Sequence, residues 1–136
     1  MKKIVWDDAI HSVGHRHMDT HHKNLLRIIN ALVDLHDEIE SITDITTAHK
    51  MKYLKKLVAI SNYVNLHFSV EESLLQSIDY PDIEDQARDH IRYMDRIADF
   101  VVRPDITQLP EVTVFLGEWI TNHILIEDMK YKPFVQ

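Results

Sequence analysis

Apolar residues recur at spacings of three and four along most of the chain, a pattern typical of amphipathic helices. Leu25, Leu26, Ile29, Leu32 and Val33 show this pattern in the first segment. The chain also has only 2 glycines, too few for the turn density that an all-β fold needs. These features favour an all-α fold over any sheet architecture.

The periodic pattern runs through four segments, and we predict helices over about 18–39, 46–78, 82–102 and 110–130. Thr46 and Thr47 are candidate caps for the second helix, and Pro110 suits the first turn of the fourth. Short connections between successive helices imply antiparallel neighbours. We therefore predict an antiparallel up-down four-helix bundle, preceded by an ordered N-terminal arm over residues 1–17.

The size and composition of the chain limit its architecture and its partners. A length of 136 residues predicts one domain, 1–136, and the absence of cysteine excludes disulfides, zinc–thiolate sites and iron–sulfur clusters. A net charge of −7 disfavours nucleic acid as a partner. No apolar run is long enough to span a membrane, and the first residues lack the apolar core of a signal peptide, so the cytoplasm is the expected location.

Polar residues interrupt the apolar stripe of every predicted helix. The interrupting residues are His22 on the first helix, His67 and Glu71 on the second, Gln86 and His90 on the third, and His123, Glu127 and Asp128 on the fourth. Burying such groups costs several kcal/mol each unless they are paired or bind a metal. One shared metal centre would satisfy all of them, and imidazoles with carboxylates suit iron or another transition ion.

Histidine is abundant in this chain, with 10 residues, so each histidine has to be judged by its position. A lone histidine on an apolar face is usually a hydrogen-bonded core residue, and we interpret His36 and His49 in that way. The cluster His11, His15, His17, His21 and His22 could in part be a surface patch. Four histidines on four inward faces favour metal binding instead.

Several ordered motifs resemble those of the bacterial hemerythrin family. They are Trp6, Ser12-Val13-Gly14, Met18-Asp19-Thr20-His21-His22-Lys23, His67-Phe68-Ser69-Val70-Glu71-Glu72, Tyr80-Pro81, and Trp119-Ile120-Thr121-Asn122-His123-Ile124 ending at Asp128. The resemblance runs nearly end to end. It implies a four-helix bundle around two non-haem iron ions, bridged by oxo or hydroxo, which bind dioxygen reversibly.

The resemblance also implies a set of ligands. One iron would be held by His22 and His67, and the other by His90 and His123. Glu71 and Asp128 would bridge the two.

The family normally adds a third histidine four residues before the position of His90, and this chain has Gln86 there. Three outcomes remain open: Gln86 coordinates weakly, water fills the position, or one of His15, His17 and His21 swings in.

The bridging carboxylate on the fourth helix presents a conflict between geometry and resemblance. On an ideal α-helix Asp128 is turned by about 140° from His123, whereas Glu127 is turned by only about 40°. The family pattern nevertheless places the carboxylate five residues after the histidine. A local π-type bulge would reconcile the two. We predict Asp128, with Glu127 as the alternative.

Four apolar residues fall beside the predicted ligands and would form a dry pocket at the oxygen site: Leu25, Phe68, Trp119 and Ile126. Their simpler interpretation is core packing, and both can hold. A dry pocket would slow irreversible oxidation of the irons.

The favoured function is reversible binding of dioxygen, or of another small diatomic or anionic ligand, for storage, delivery or sensing. The alternative is a di-iron oxidase, peroxidase or nitric oxide-reactive enzyme, which Gln86 favours because it leaves the second iron with fewer imidazoles. A third hypothesis is an iron-holding or signalling module whose output is a contact with a partner. An unidentified reductase or signalling protein would be the macromolecular partner in the last two cases.

Overall fold

The computed structural model describes residues 2–135, and Met1 and Gln136 at the ends of the predicted domain lie outside that range. No strand occurs among the described residues. The α-helices are α1 (Asp8–His11), α2 (Arg16–Glu40), α3 (Thr47–Ser77), α4 (Ile83–Val102) and α5 (Leu109–Asn122). A 3-10 turn, Ile106–Gln108, precedes α5, and a π-helical turn (His123–Glu127) and a 3-10 segment (Asp128–Phe134) continue it.

The four long helices pack as a bundle. Helix α3 lies against both α2 and α4, and α5 lies against α2, as expected when short connections join antiparallel neighbours. The predicted four-helix bundle is confirmed. None of the helices in residues 2–135 is both long enough and apolar enough to cross a membrane.

The arm contains more structure than its sequence predicts. Helix α1 forms within it, and the Asp7 carboxylate accepts a hydrogen bond from the Ala9 N–H at its start. The Asn30 side chain holds the arm against α2, because it accepts from the Ile4 N–H at 2.9 Å and donates to the Ile4 carbonyl at 2.8 Å. The Ser12 hydroxyl and the Val13 N–H each donate a hydrogen bond to the Asp19 carboxylate, and these two bonds fix the turn that leads into α2.

Helix α2 begins at Arg16, two residues before the predicted start. The His15 ring caps it by accepting a hydrogen bond from the Met18 N–H. Sequence rules for caps favour Ser, Thr, Asp and Asn, so a histidine cap gave no signal. Helix α3 begins at Thr47, and its cap is Thr46, which forms a reciprocal pair of hydrogen bonds with His49.

Two apolar clusters divide the interior along the bundle axis. The larger cluster includes Leu25, Phe68 and Ile124, and the smaller one consists of Val13, Met18, Leu75, Tyr80 and Tyr131. On each of α2, α3 and the continuation of α5, the inward polar residues fall between a member of one cluster and a member of the other. The polar site is therefore enclosed by apolar packing at both ends.

Candidate metal centre

Six of the predicted ligands come together inside the bundle. Helix α2 supplies His22, α3 supplies His67 and Glu71, α4 supplies His90, and the segment after α5 supplies His123 and Asp128. All six side chains are at most 2 % exposed. Residues His67 and Glu71 are one helical turn apart, so both project from the same face of α3. Every long helix contributes to the cluster, either itself or through its continuation.

The Glu71 carboxylate lies between two pairs of imidazoles. Its Oε1 is 3.0 Å from His90 Nε2 and 3.3 Å from His123 Nε2. Its Oε2 is 3.6 Å from His22 Nε2 and 3.5 Å from His67 Nε2. Each oxygen therefore faces a different pair.

The Asp128 carboxylate also reaches both pairs of imidazoles. Its Oδ2 lies 2.9 Å from His22 Nε2 and 2.9 Å from His123 Nε2. Two carboxylates thus stand between the same two groups of ring nitrogens. This is the arrangement in which carboxylates can connect two metal positions.

Several of these atoms make no hydrogen bond despite their closeness. Within residues 2–135, His22 Nε2, His90 Nε2, Glu71 Oε1 and Asp128 Oδ2 are buried without a hydrogen-bond partner. Buried polar atoms are nearly always satisfied, so a converging set of unsatisfied ones requires an explanation. Nitrogen and oxygen donors aimed at a common centre fit a transition metal.

The electrostatics of the cluster show how strongly its charges depend on one another. Burial opposes the charged form of His123, yet Asp128 and Glu71 raise the pKa of His123 to about 10. Burial also opposes the ionised form of Glu71, but His123 and His67 hold the pKa of that carboxyl well below its usual value. The Glu71 carboxylate is therefore matched by positive charge, which either protons or metal ions can supply.

The π-helical turn decides which carboxylate enters the site. It covers His123–Glu127, and the Asp128 N–H donates to the His123 carbonyl, a five-residue hydrogen bond. This wider turn brings Asp128 below His123 and leaves it fully buried. The Glu127 side chain points outward and pairs with Lys130 at 3.2 Å. Of the two candidates, only Asp128 joins the cluster.

A comparison with protein families matches residues 13–135 to the hemerythrin HHE cation-binding domain. The chain belongs to the hemerythrin family. The resemblance stated from the sequence motifs is thereby confirmed. Membership implies binding of non-haem iron, and the family binds small ligands such as dioxygen.

Relatives of similar length support this assignment. A bacteriohemerythrin from Clostridium acetobutylicum is 28% identical, and the match covers 94% of this chain and 98% of the relative. A bacteriohemerythrin from Methylococcus capsulatus is 26% identical, and the match covers 98% of this chain and 97% of the relative. A hemerythrin-like protein from Naegleria gruberi is 28% identical, with 93% and 89% covered.

Solved structures share the fold. A crystal structure of a hemerythrin in which tyrosine replaces a leucine superimposes with a TM-score of 0.80 at 24% identity, covering 99% of this chain and 98% of the other. A variant of a hemerythrin in which alanine replaces a leucine gives a TM-score of 0.78 at 25% identity, with 98% of each chain covered.

Gln86 occupies the position where the hemerythrin pattern has a histidine. It is 3% exposed, and its Nε2 donates to Asp128 Oδ1 at 3.2 Å and to the Glu127 carbonyl at 3.3 Å. The amide nitrogen, which cannot ligate a metal, therefore faces the acceptors of the site. In this arrangement Gln86 holds Asp128 in place.

The three histidines considered as replacements for the missing imidazole are engaged or distant. His15 caps α2, and His17 is exposed. His21 Nδ1 lies 3.0 Å from His67 Nδ1. His67 belongs to the pair His22 and His67, whereas Gln86 lies beside the other pair, His90 and His123.

An outer layer of contacts was not predicted from the sequence. His90 Nδ1 donates to Glu72 Oε2 at 2.7 Å, and the Tyr131 hydroxyl donates to Glu71 Oε2 at 2.9 Å. Tyr131 is fully buried and lies three residues after Asp128. That spacing, which puts both residues on the inward face, is the sequence signal that could have identified Tyr131. Glu72 gave none, because it simply follows Glu71 in the sequence.

Aromatic rings cover one side of the polar cluster. The Phe68 ring stacks on His90 with centroids 3.7 Å apart and planes 6° from parallel, and the Trp119 ring stacks on His123 at 5.6 Å and 24°. Both aromatic residues and Leu25 are at most 1% exposed. They belong to the larger apolar cluster, so core packing and lining of the site coincide.

The placement of Ile126 in the apolar lining is wrong. Its side chain is 51% exposed. A regular α-helix would bring a residue three positions after His123 close to the same face, but the wider π-helical turn moves it outward. Ile124, which is 1% exposed, is the buried isoleucine of this turn.

Proposed function

We propose that this protein holds two non-haem irons and binds dioxygen reversibly. His22 and His67 would hold one iron, His90 and His123 the other, and Glu71 and Asp128 would bridge them. The observation that carries the proposal is the position of Glu71, whose two oxygens face different imidazole pairs at 3.0–3.6 Å. A single metal ion would not need a carboxylate with both oxygens directed to separate groups of ligands.

A ferrous pair held by these residues would supply the two electrons that dioxygen takes up on binding. The residues supply the surroundings that keep this process reversible. Leu25, Phe68 and Trp119 exclude water from the imidazoles, and Tyr131 and Gln86 hold the two carboxylates by hydrogen bonds. A buried site fixed in this way needs little rearrangement when a small ligand enters or leaves.

The second candidate is a di-iron enzyme that reduces dioxygen or peroxide, or reacts with nitric oxide. The orientation of Gln86 favours it, because an amide that donates to Asp128 leaves the position of His90 and His123 with only two imidazoles. A position with few protein ligands accepts exogenous ligands more readily. Reversible binding ranks first because Leu25, Phe68 and Trp119 are buried beside the cluster, and their apolar side chains limit the access of water and protons that the release of reduced oxygen species requires.

The two functions differ in what happens after oxygen is added. Protein loaded anaerobically with ferrous iron is mixed with oxygen, and the visible absorption is followed before and after the oxygen is removed with argon. We expect a charge-transfer band that appears with oxygen and disappears with argon over repeated cycles. Rapid conversion to the oxidised protein with release of hydrogen peroxide would contradict the proposal and support the enzyme.

Two neighbouring carboxylates provide a matched control. Asp128→Asn removes a proposed bridge with little change in shape, so the reversible band should be lost. Glu127→Gln makes the same chemical change at a side chain that points outward to Lys130, so the band should persist. A band that survives in Asp128→Asn and disappears in Glu127→Gln would overturn the assignment of Asp128.

A further inference from the structure

Two inward-facing histidines have their outer ring nitrogens held by acceptors of different charge. His90 Nδ1 lies 2.7 Å from Glu72 Oε2, whereas His67 Nδ1 lies 3.0 Å from His21 Nδ1. In both residues Nε2 faces Glu71 and Nδ1 faces away from the cluster. The two imidazoles therefore play equivalent inner roles with unequal outer partners.

The proton positions follow from the bonding. A ring nitrogen that ligates a metal carries no proton, so the proton of a ligating neutral imidazole is on the other nitrogen. If Nε2 of His67 is a ligand, His67 Nδ1 is the donor and His21 Nδ1 is the acceptor. His21 must then carry its own proton on Nε2 and accept as a neutral imidazole. His90 by the same reasoning donates to a carboxylate.

The His21 ring is held in place by its surroundings. It contacts the Tyr63 ring edge-on, with centroids 5.8 Å apart and planes at 70°. The Tyr63 hydroxyl in turn accepts a hydrogen bond from the Asn24 amide at 3.0 Å. His21 and Asn24 are both on α2, and Tyr63 and His67 are both on α3, so the contact is built by two rigid helices. A fixed ring of this kind can set the orientation of His67.

The charge of the outer acceptor affects how strongly an imidazole donates electrons. A carboxylate acceptor draws the Nδ1 proton toward itself and makes Nε2 a more basic ligand. A neutral imidazole acceptor has this effect to a smaller degree, because it lacks the negative charge that makes charge-assisted hydrogen bonds stronger. More basic ligands stabilise the more oxidised metal ion.

We infer that His21 and Glu72 are positioning residues that make the two metal positions electronically unequal. The position of His90 and His123 favours the ferric ion, and the position of His22 and His67 favours the ferrous ion. This inference rests on the proposed di-iron function, and it adds which of the two positions gives up its electron first.

Adding a negative charge at the acceptor of His67 and removing the one at the acceptor of His90 should shift the reduction potential in opposite directions. His21→Glu gives His67 a carboxylate acceptor and should lower the midpoint potential of the iron-loaded protein. Glu72→Gln gives His90 a neutral acceptor and should raise it. His21→Gln keeps a neutral acceptor and should preserve the potential of the unmodified protein. His21→Leu removes the acceptor, and iron affinity should fall roughly 10- to 100-fold.

Charge controls separate the hydrogen bond from a general electrostatic effect. Thr20→Glu adds the same charge at the exposed neighbour of His21, and Glu84→Gln removes one at an exposed glutamate that lines the same surface recess as Glu72. Both controls should leave the potential nearly unchanged. The inference is overturned if His21→Glu shifts the midpoint potential no more than Thr20→Glu does, and Glu72→Gln shifts it no more than Glu84→Gln does.

A measurement without redox chemistry keeps the inference testable apart from oxygen binding. In zinc-loaded protein the Nδ1 protons of His67 and His90 should both give slowly exchanging NMR signals, with that of His90 further downfield. His21→Gln should move only the His67 signal, and Glu72→Gln only that of His90. Equal signals that neither variant moves would refute the inference even if oxygen binding is reversible. The predicted shifts would support it even if oxygen binding fails.

Discussion

The Tyr131 hydroxyl donates a 2.9 Å hydrogen bond to Glu71 Oε2, joining the end of the chain to the middle of α3 inside the core. Both side chains are fully buried. Burial together with Asp128 and Glu71 raises the pKa of Tyr131 well above its usual value, so the hydroxyl keeps its proton for donation. The hydrogen bond leaves Glu71 Oε1 free to face His90 and His123.

Replacing Tyr131 with phenylalanine should weaken metal binding. The change removes the donor that orients Glu71 while leaving the ring packing almost intact. We expect affinity for ferrous or zinc ions to fall roughly 10- to 100-fold, as measured by competition with a coloured chelator. Tyr80→Phe is the control, because Tyr80 packs edge-on against Tyr131 at 6.1 Å and should leave affinity unchanged. Equal affinity in Tyr131→Phe and the unmodified protein would refute this role.

The unmodified protein, with Gln86, should retain metal less well than the Gln86→His variant and better than the Gln86→Leu variant. Gln86→His restores an imidazole beside His90, and Gln86→Leu removes the hydrogen bond to Asp128 Oδ1. The rate of iron loss to an excess of chelator should therefore be slowest in the histidine variant and fastest in the leucine variant. Identical rates in all three proteins would show that this position has no part in holding the metal.

Leu25 and Ile126 should differ in their effect on oxidation. Leu25 is fully buried one turn after His22, whereas Ile126 is half exposed. Leu25→Val should speed conversion of the oxygen-exposed ferrous protein to the oxidised form, because it loosens the apolar packing that keeps water out. Ile126→Val should not change the rate. The measurement is the decay of the reversible band in air, and a faster decay in Ile126→Val alone would contradict the exposure of the two residues.

Tyr53 should make the fold sensitive to alkaline pH. Burial, with Asp105 and Glu111, raises the pKa of Tyr53 to about 12 from a usual value near 10. Because the unfolded chain ionises at this position near pH 10 and the folded protein only near pH 12, the free energy of unfolding should fall as pH rises from 10 toward 12. Tyr53→Phe should therefore lose less stability over this window in urea unfolding. A parallel pH dependence in both proteins would count against the assignment.

The same substitution should stabilise the protein at neutral pH. Among residues 2–135 the Tyr53 hydroxyl is buried without a hydrogen-bond partner, which costs about 1–3 kcal/mol. Tyr53→Phe should raise the free energy of unfolding by about 1 kcal/mol. Tyr63→Phe is the control with the opposite sign, since the Tyr63 hydroxyl accepts from Asn24.

The sequence predicted the parts of this protein that follow from periodicity. Helical spacing located the four long helices to within about two residues at most ends, and polar residues on apolar stripes included the six side chains that converge in the core. Asp128 required the family pattern as well, because ideal helical geometry favoured Glu127. The π-helical turn resolved that conflict, and it also explains why Ile126 was placed wrongly.

Contacts between helices could not be predicted in this way. The pairing of His21 with His67, of Glu72 with His90 and of Tyr131 with Glu71 depends on how far apart and how rotated two helices are. Periodicity describes one helix at a time and carries no such information. The orientation of the Gln86 amide depends likewise on two acceptors that lie 41 and 42 positions away in sequence.

The iron content of the protein tests the central claim most directly. Protein loaded anaerobically with ferrous iron and freed of unbound metal should contain two irons per chain by elemental analysis. His67→Ala and His123→Ala, one from each imidazole pair, should each lower that content. A value of one or none in the unmodified protein would contradict a centre built from two imidazole pairs and two shared carboxylates.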